Sequence, residues 1–137
     1  MIKLARAIAL ITCVGAILAV AVPASASMHR RNVTVRFASC RSSGEFAACD
    51  ASGSVNNPIR IKVHVKASPN QRVSGDWAMT CSRGTSVGSS SGTVSGLTPR
   101  VKELRMPFAN PDSCSVAADV GLDNGGSIHV YLTARVP

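Results

Sequence analysis

From Val33 to the C-terminus the chain alternates apolar and polar residues almost one by one, and that period restricts it to strands. Val33, Val35 and Phe37 alternate with Thr34 and Arg36. Ile59, Ile61, Val63, Val65 and Ala67 alternate with Arg60, Lys62, His64 and Lys66. Val73, Trp77, Met79 and Cys81 share one parity, as do Cys114, Val116, Ala118, Val120 and Leu122. Ile128, Val130, Leu132, Ala134 and Val136 alternate with His129, Tyr131, Thr133 and Arg135. Successive side chains on a strand point to opposite faces, so each run turns one set toward a core and the other toward water. An antiparallel sheet with one solvated face has this pattern.

Turn signals separate the runs. Asn56-Asn57-Pro58, Ser68-Pro69-Asn70, Asn110-Pro111-Asp112 and Asp123-Asn124-Gly125-Gly126 supply proline for a fixed φ or Gly and Asn for a positive one. Val101 to Met106 reads as a weaker strand with Leu104 and Met106 inward, and Phe46 to Val55 holds a short one. Ser82 to Gly96, rich in serine and glycine, has little apolar surface to bury and reads as a flexible loop. The expected fold is an all-β, antiparallel β-sandwich of about seven strands, of immunoglobulin or fibronectin type III kind, with Trp77 at its centre on the third main strand.

The N-terminal segment is of a different character. Lys3 and Arg6 precede an apolar run from Ala7 to Val22, and Ala24 and Ala26 are the small residues of a cleavage site. Residues 1–26 therefore read as a signal peptide, helical from roughly Lys3 to Val22, and residues 27–137 as one secreted domain. The run is shorter than the about 20 residues of a membrane span, so no span is expected after cleavage.

An exported domain of this size gains from disulfides, and an even cysteine count supports them. Beyond the signal segment lie Cys40, Cys49, Cys81 and Cys114, for which three pairings exist. The sandwich layout selects one. Cys81 ends the Trp77 strand and Cys114 begins its antiparallel neighbour, so their sulfurs lie close, and Cys40 and Cys49 close a short loop.

With the cysteines in structural use, no thiol is left for catalysis. His29, His64 and His129 do not form a convergent zinc set. His64 and His129 are outward, on strands expected in opposite sheets. The seven acids are scattered singly, and Asp119 has no spaced partner. The chain thus reads as non-enzymatic, with no metal and no cofactor. The aromatics are Phe37, Phe46, Phe108, Trp77 and Tyr131. Phe37 and Trp77 are inward and Tyr131 outward, which offers a poor platform for stacking sugars or bases, so no specific nucleic-acid partner is expected.

One surface stands out. Alternation places Arg60, Lys62, His64 and Lys66 on one solvent face at steps of about 6.6 Å, and Arg36 joins them if the first strand pairs with theirs. Removing Lys3 and Arg6 leaves 13 basic against 7 acidic side chains, a net charge of +6. Such a stripe suits a linear anionic polymer. It equally suits an edge strand, where charges block sheet-to-sheet aggregation.

The stretches Cys49-Asp50-Ala51-Ser52-Gly53 through Arg60, Ser68-Pro69-Asn70-Gln71-Arg72-Val73, Trp77-Ala78-Met79-Thr80-Cys81-Ser82-Arg83-Gly84 and Pro111-Asp112-Ser113-Cys114 through Asp119 resemble small secreted proteins of actinomycetes. The resemblance covers nearly the whole secreted part. It implies export and an immunoglobulin-like two-disulfide build, and no mechanism. Subtilisin inhibitors of actinomycetes share the size, but their Cys-Pro reactive-loop start is replaced here by Cys81-Ser82-Arg83. The expected function is a secreted binding or surface-interaction module for an anionic extracellular polymer or an extracellular protein. The alternative is a protein-directed protease inhibitor presenting a disulfide-tethered loop near Arg41 to Ala48 or after Cys81. No pattern sets an oligomeric state.

Overall fold

Eight antiparallel strands form two four-stranded sheets in the computed structural model, which describes residues 31–137. The signal-peptide helix and its cleavage site lie outside the described residues. The strands are β1 (Val33–Gly44), β2 (Ala48–Asn56), β3 (Arg60–Ser68), β4 (Arg72–Arg83), β5 (Ser86–Leu97), β6 (Arg100–Leu104), β7 (Ser113–Leu122) and β8 (Gly126–Val136). A front sheet has the order β1-β8-β3-β6 and a back sheet the order β2-β7-β4-β5.

The antiparallel sandwich legible in the alternation is present, with one strand beyond the seven counted. Its strand order is the double Greek key of a jelly roll, which replaces the immunoglobulin connectivity and puts Trp77 on the fourth strand. The inward sets meet between the sheets. Ile61, Val63, Val65, Val130, Leu132 and Ala134 come from the front sheet; Trp77, Met79, Val116, Ala118 and Val120 from the back. All are buried, Trp77 to 4% residual exposure. Asn57 and Asn110, both in segments read as turns, adopt the positive φ of 51° that asparagine tolerates.

Both expected disulfides form. Cys81 and Cys114 face each other across β4 and β7 within the back sheet. Cys40 on β1 and Cys49 on β2 tie the front sheet to the back.

The Ser82–Gly96 segment is not a loop. Most of it is β5, paired along its length with β4. Its small residues reflect what lies beneath them. A Cβ on Gly92 would come within 2.8 Å of Trp77 Nε1, and one on Gly88 within 2.9 Å of the Phe108 ring. Large rings from neighbouring segments fill the inward positions that apolar side chains of β5 would otherwise occupy, so the strand lacks its own apolar rhythm. Only Val94 is buried from within it. Along its free edge, Lys102 Nζ donates to the Thr93 carbonyl and the Ser90 hydroxyl donates to the Arg105 carbonyl.

Candidate functional site: a cationic face on the front sheet

The outward residues of β1, β8 and β3 stand in cross-strand rows. Thr34, Arg135 and Arg60 form the first; Arg36, Thr133 and Lys62 the second; Ser39, Tyr131 and His64 the third; Arg41, His129 and Lys66 the fourth. Neighbouring rows lie about 6.7 Å apart along the strands. Arg36 keeps its place in the rows because the register slips between Arg36 and Ala38, which returns Ser39 and Arg41 to the outer face.

This order corrects three expectations. His64 and His129 are on adjacent strands of one sheet, not on opposite sheets. β3 is an interior strand between β8 and β6, so Arg60, Lys62, His64 and Lys66 do not guard an edge. β1 and β3 do not pair, because β8 lies between them. Arg36 reaches the group by leaning over Tyr131 instead, with its guanidinium carbon 4.0 Å from the ring centroid.

Tyr131 organises the middle of the face. His64 stacks on its ring at 4.5 Å between centroids, with the planes 8° apart. A guanidinium at 4.0 Å and an imidazole at 4.5 Å do not fit over one ring face, so Arg36 and His64 cover opposite faces. His129 is tilted against the same ring at 4.9 Å, and Lys66 Nζ stands 5.8 Å from its centroid. His64 Nε2 is 2.8 Å from Thr133 Oγ1, which fixes the ring's rotation. With both faces covered, Tyr131 has none left for stacking a sugar or base.

Two recesses flank this aromatic stack. One, of 410 Å³, has Arg60, Lys62, His64 and Thr133 in its walls. The other, of 430 Å³, has Arg41, Lys66 and His129. Arg60 is balanced locally, since its Nε lies 2.8 Å from Glu103 Oε1. Both histidines are held below their ordinary pKa of 6.5. For His64 the causes are desolvation first, then Lys62, Arg36 and Lys66. For His129 they are desolvation, then Arg41, Arg36 and Lys66. Neutral imidazoles at neutral pH let five cations, Arg36, Arg41, Lys62, Lys66 and Arg135, share one face without further repulsion.

The opposite side of the sandwich has the opposite sign. Asp119 on β7 is the cross-strand partner of both Asp50 on β2 and Asp76 on β4. The expectation that Asp119 stands alone is thus corrected, because residues distant in sequence become neighbours through strand order. Like charges directly opposite each other weaken a sheet. Among the described residues, no group of three or more His, Cys, Asp or Glu is placed to hold a metal ion. None of the described segments is a helix long and apolar enough to cross a membrane. Phe46, expected to begin a short strand, instead stands 88% exposed in the turn between β1 and β2.

No protein-family model matches the chain, and no curated protein matches it in sequence. Among solved structures, it is similar to the carbohydrate-binding module TmCBM61 solved in complex with β-1,4-galactotriose. That match has 15% identity and a TM-score of 0.39, and covers 74% of this chain and 68% of the other.

Proposed function

We propose that the chain is an extracellular, non-enzymatic binding domain that engages a linear anionic polymer across the outer face of β1, β8 and β3. The observation that carries this is the convergence of Arg36, from the edge strand β1, with Lys62 and Lys66, from the interior strand β3 where no edge needs protecting, around the Tyr131–His64 stack. Cation rows about 6.7 Å apart offer repeated contacts to a repeating ligand, and each contact releases counterions. The stack holds Arg36 and His64 in place before binding, which lowers the ordering cost of association. The aspartate row on the far side repels the same ligand and leaves the front sheet as its seat. Two disulfides support an oxidising compartment, and the signal-like N-terminus supports export.

The test is retention on a heparin column as a function of salt. The wild-type domain elutes late, with a steep salt dependence. Lys62→Gln combined with Lys66→Gln elutes earlier, and its log–log salt slope is shallower by about 0.7–0.9 per lost contact. Equal retention of the wild-type domain and this double variant would remove the cationic face from any binding role.

A further inference from the structure

At one end of the cationic face the fourth row, Arg41, His129 and Lys66, is followed by a row of three serines. Ser43, Ser127 and Ser68 are cross-strand partners on β1, β8 and β3. Short hydroxyl side chains beside long cationic ones leave a depression, the 430 Å³ recess. Its lining combines serine hydroxyls with guanidinium, imidazole and ammonium groups, and Ala67 and Ile128 lie between the rows. No carboxylate lines it.

Beyond the serines, next to the recess, lies Gln71, buried to 8% exposure. Its amide nitrogen donates to the Gly125 carbonyl at 3.2 Å, and its side-chain oxygen accepts from the Asn124 N–H at 2.8 Å. The turn leading into Ser127 is thereby tied to the segment that follows Ser68. The recess is built before any ligand arrives.

We infer that this recess is a site for a tetrahedral oxyanion, a phosphate or sulfate group, carried as a substituent or terminus of the polymer. The inference rests on the polymer reading above for the source of the group, but not for the chemistry of the site. Donors come from three adjacent strands and from two rows of one sheet face. A planar carboxylate would use only part of that set. A tetrahedral group presents oxygens to the Arg41 fork, to Lys66 and to the serine hydroxyls at once. The hydroxyls accept as well as donate, so a protonated oxygen is also satisfied.

His129 supplies an internal reporter. Arg41 and Arg36 face it from β1, Lys66 and His64 from β3, and Tyr131 from its own strand. The cations among them help to hold its pKa down. An oxyanion bound among Arg41, His129 and Lys66 offsets that repulsion and raises the His129 pKa.

The experiment is an NMR titration of the intact secreted domain with inorganic phosphate, and separately with acetate at matched ionic strength. Phosphate is expected to give saturable shifts of the Ser43, Ser68 and Ser127 amides and to raise the His129 pKa, whereas acetate gives neither. Ser127→Leu, which fills the recess, and Arg41→Gln, which leaves the serine row intact, should each weaken phosphate at least tenfold. Equal, unsaturable responses to phosphate and acetate would overturn the site. Saturation by phosphate in a domain that heparin does not retain would leave the recess standing and remove the polymer. Heparin retention without a phosphate response would do the reverse.

Discussion

Tyr131 on β8 lies nearly parallel to His64 on β3, 4.5 Å between ring centroids, with the Arg36 guanidinium over its other face at 4.0 Å. A phenol ring is thus the spacer that holds a cation and an imidazole in register on a surface otherwise crowded with like charge. Tyr131→Leu releases both groups. A cation–π contact at an exposed site is worth about 0.5–1 kcal/mol, so polyanion affinity should fall about two- to fivefold. Tyr131→Phe keeps the ring and should keep the affinity. Equal losses in the two variants, measured by heparin elution with circular dichroism confirming the fold, would show that the hydroxyl and not the stack matters.

The histidines set a pH dependence. Both are held below 6.5 in the folded chain, so the unfolded chain takes up protons first as pH falls. Stability present above pH 6.5 is lost as pH drops through the folded pKa values. Protonation of His64 adds a charge to the face, so polyanion binding tightens too, but with a midpoint below the ordinary imidazole value. A direct NMR titration of the two rings checks this. A midpoint above 6.5 in the free domain would contradict it.

The two disulfides should contribute unequally. Cys81–Cys114 spans 33 residues and Cys40–Cys49 spans 9. Loop entropy assigns about 4 kcal/mol to the longer closure and about 3 kcal/mol to the shorter. Paired Cys→Ala variants in urea unfolding should show the larger loss for Cys81 and Cys114. The reverse order would mean that the tie between the sheets, supplied by Cys40–Cys49, outweighs loop length.

Trp77 and Gly92 form one packing unit across β4 and β5. Trp77→Ala should cost about 3–5 kcal/mol. Gly92→Ala should cost about 1–3 kcal/mol, because the added methyl would come within 2.8 Å of the buried Trp77 ring and force it to shift. Combined, they should cost less than their sum, since the cavity left by the ring accepts the methyl. Strict additivity in denaturant unfolding would separate the two residues.

Much of this molecule is written in its period-two pattern. Alternation is a local property, and it assigns residues of β3, β4, β7 and β8, and of β1 as far as Arg36, to the core or to water without reference to any partner. Arg60, Lys62, His64 and Lys66 are legible as one face for the same reason. The pairing of Cys81 with Cys114 needed one thing more, an assumed sandwich layout that sets the end of one strand beside the start of its neighbour.

What alternation does not carry is which strand lies beside which, because pairing is decided by the packing of whole sheets. Only the jelly-roll order brings β8 between β1 and β3. That order sets Tyr131 between Arg36 and His64, completes the row of Arg41, His129 and Lys66, and aligns Asp50, Asp119 and Asp76 on the far side. β5 was illegible for a related reason. Gly88 and Gly92 lack side chains where Phe108 and Trp77 occupy the space, so part of the signal for that strand lies in other parts of the chain. Sequence alone determined the faces of the strands; the tertiary structure decided their neighbours, and with them every cross-strand contact of the candidate site.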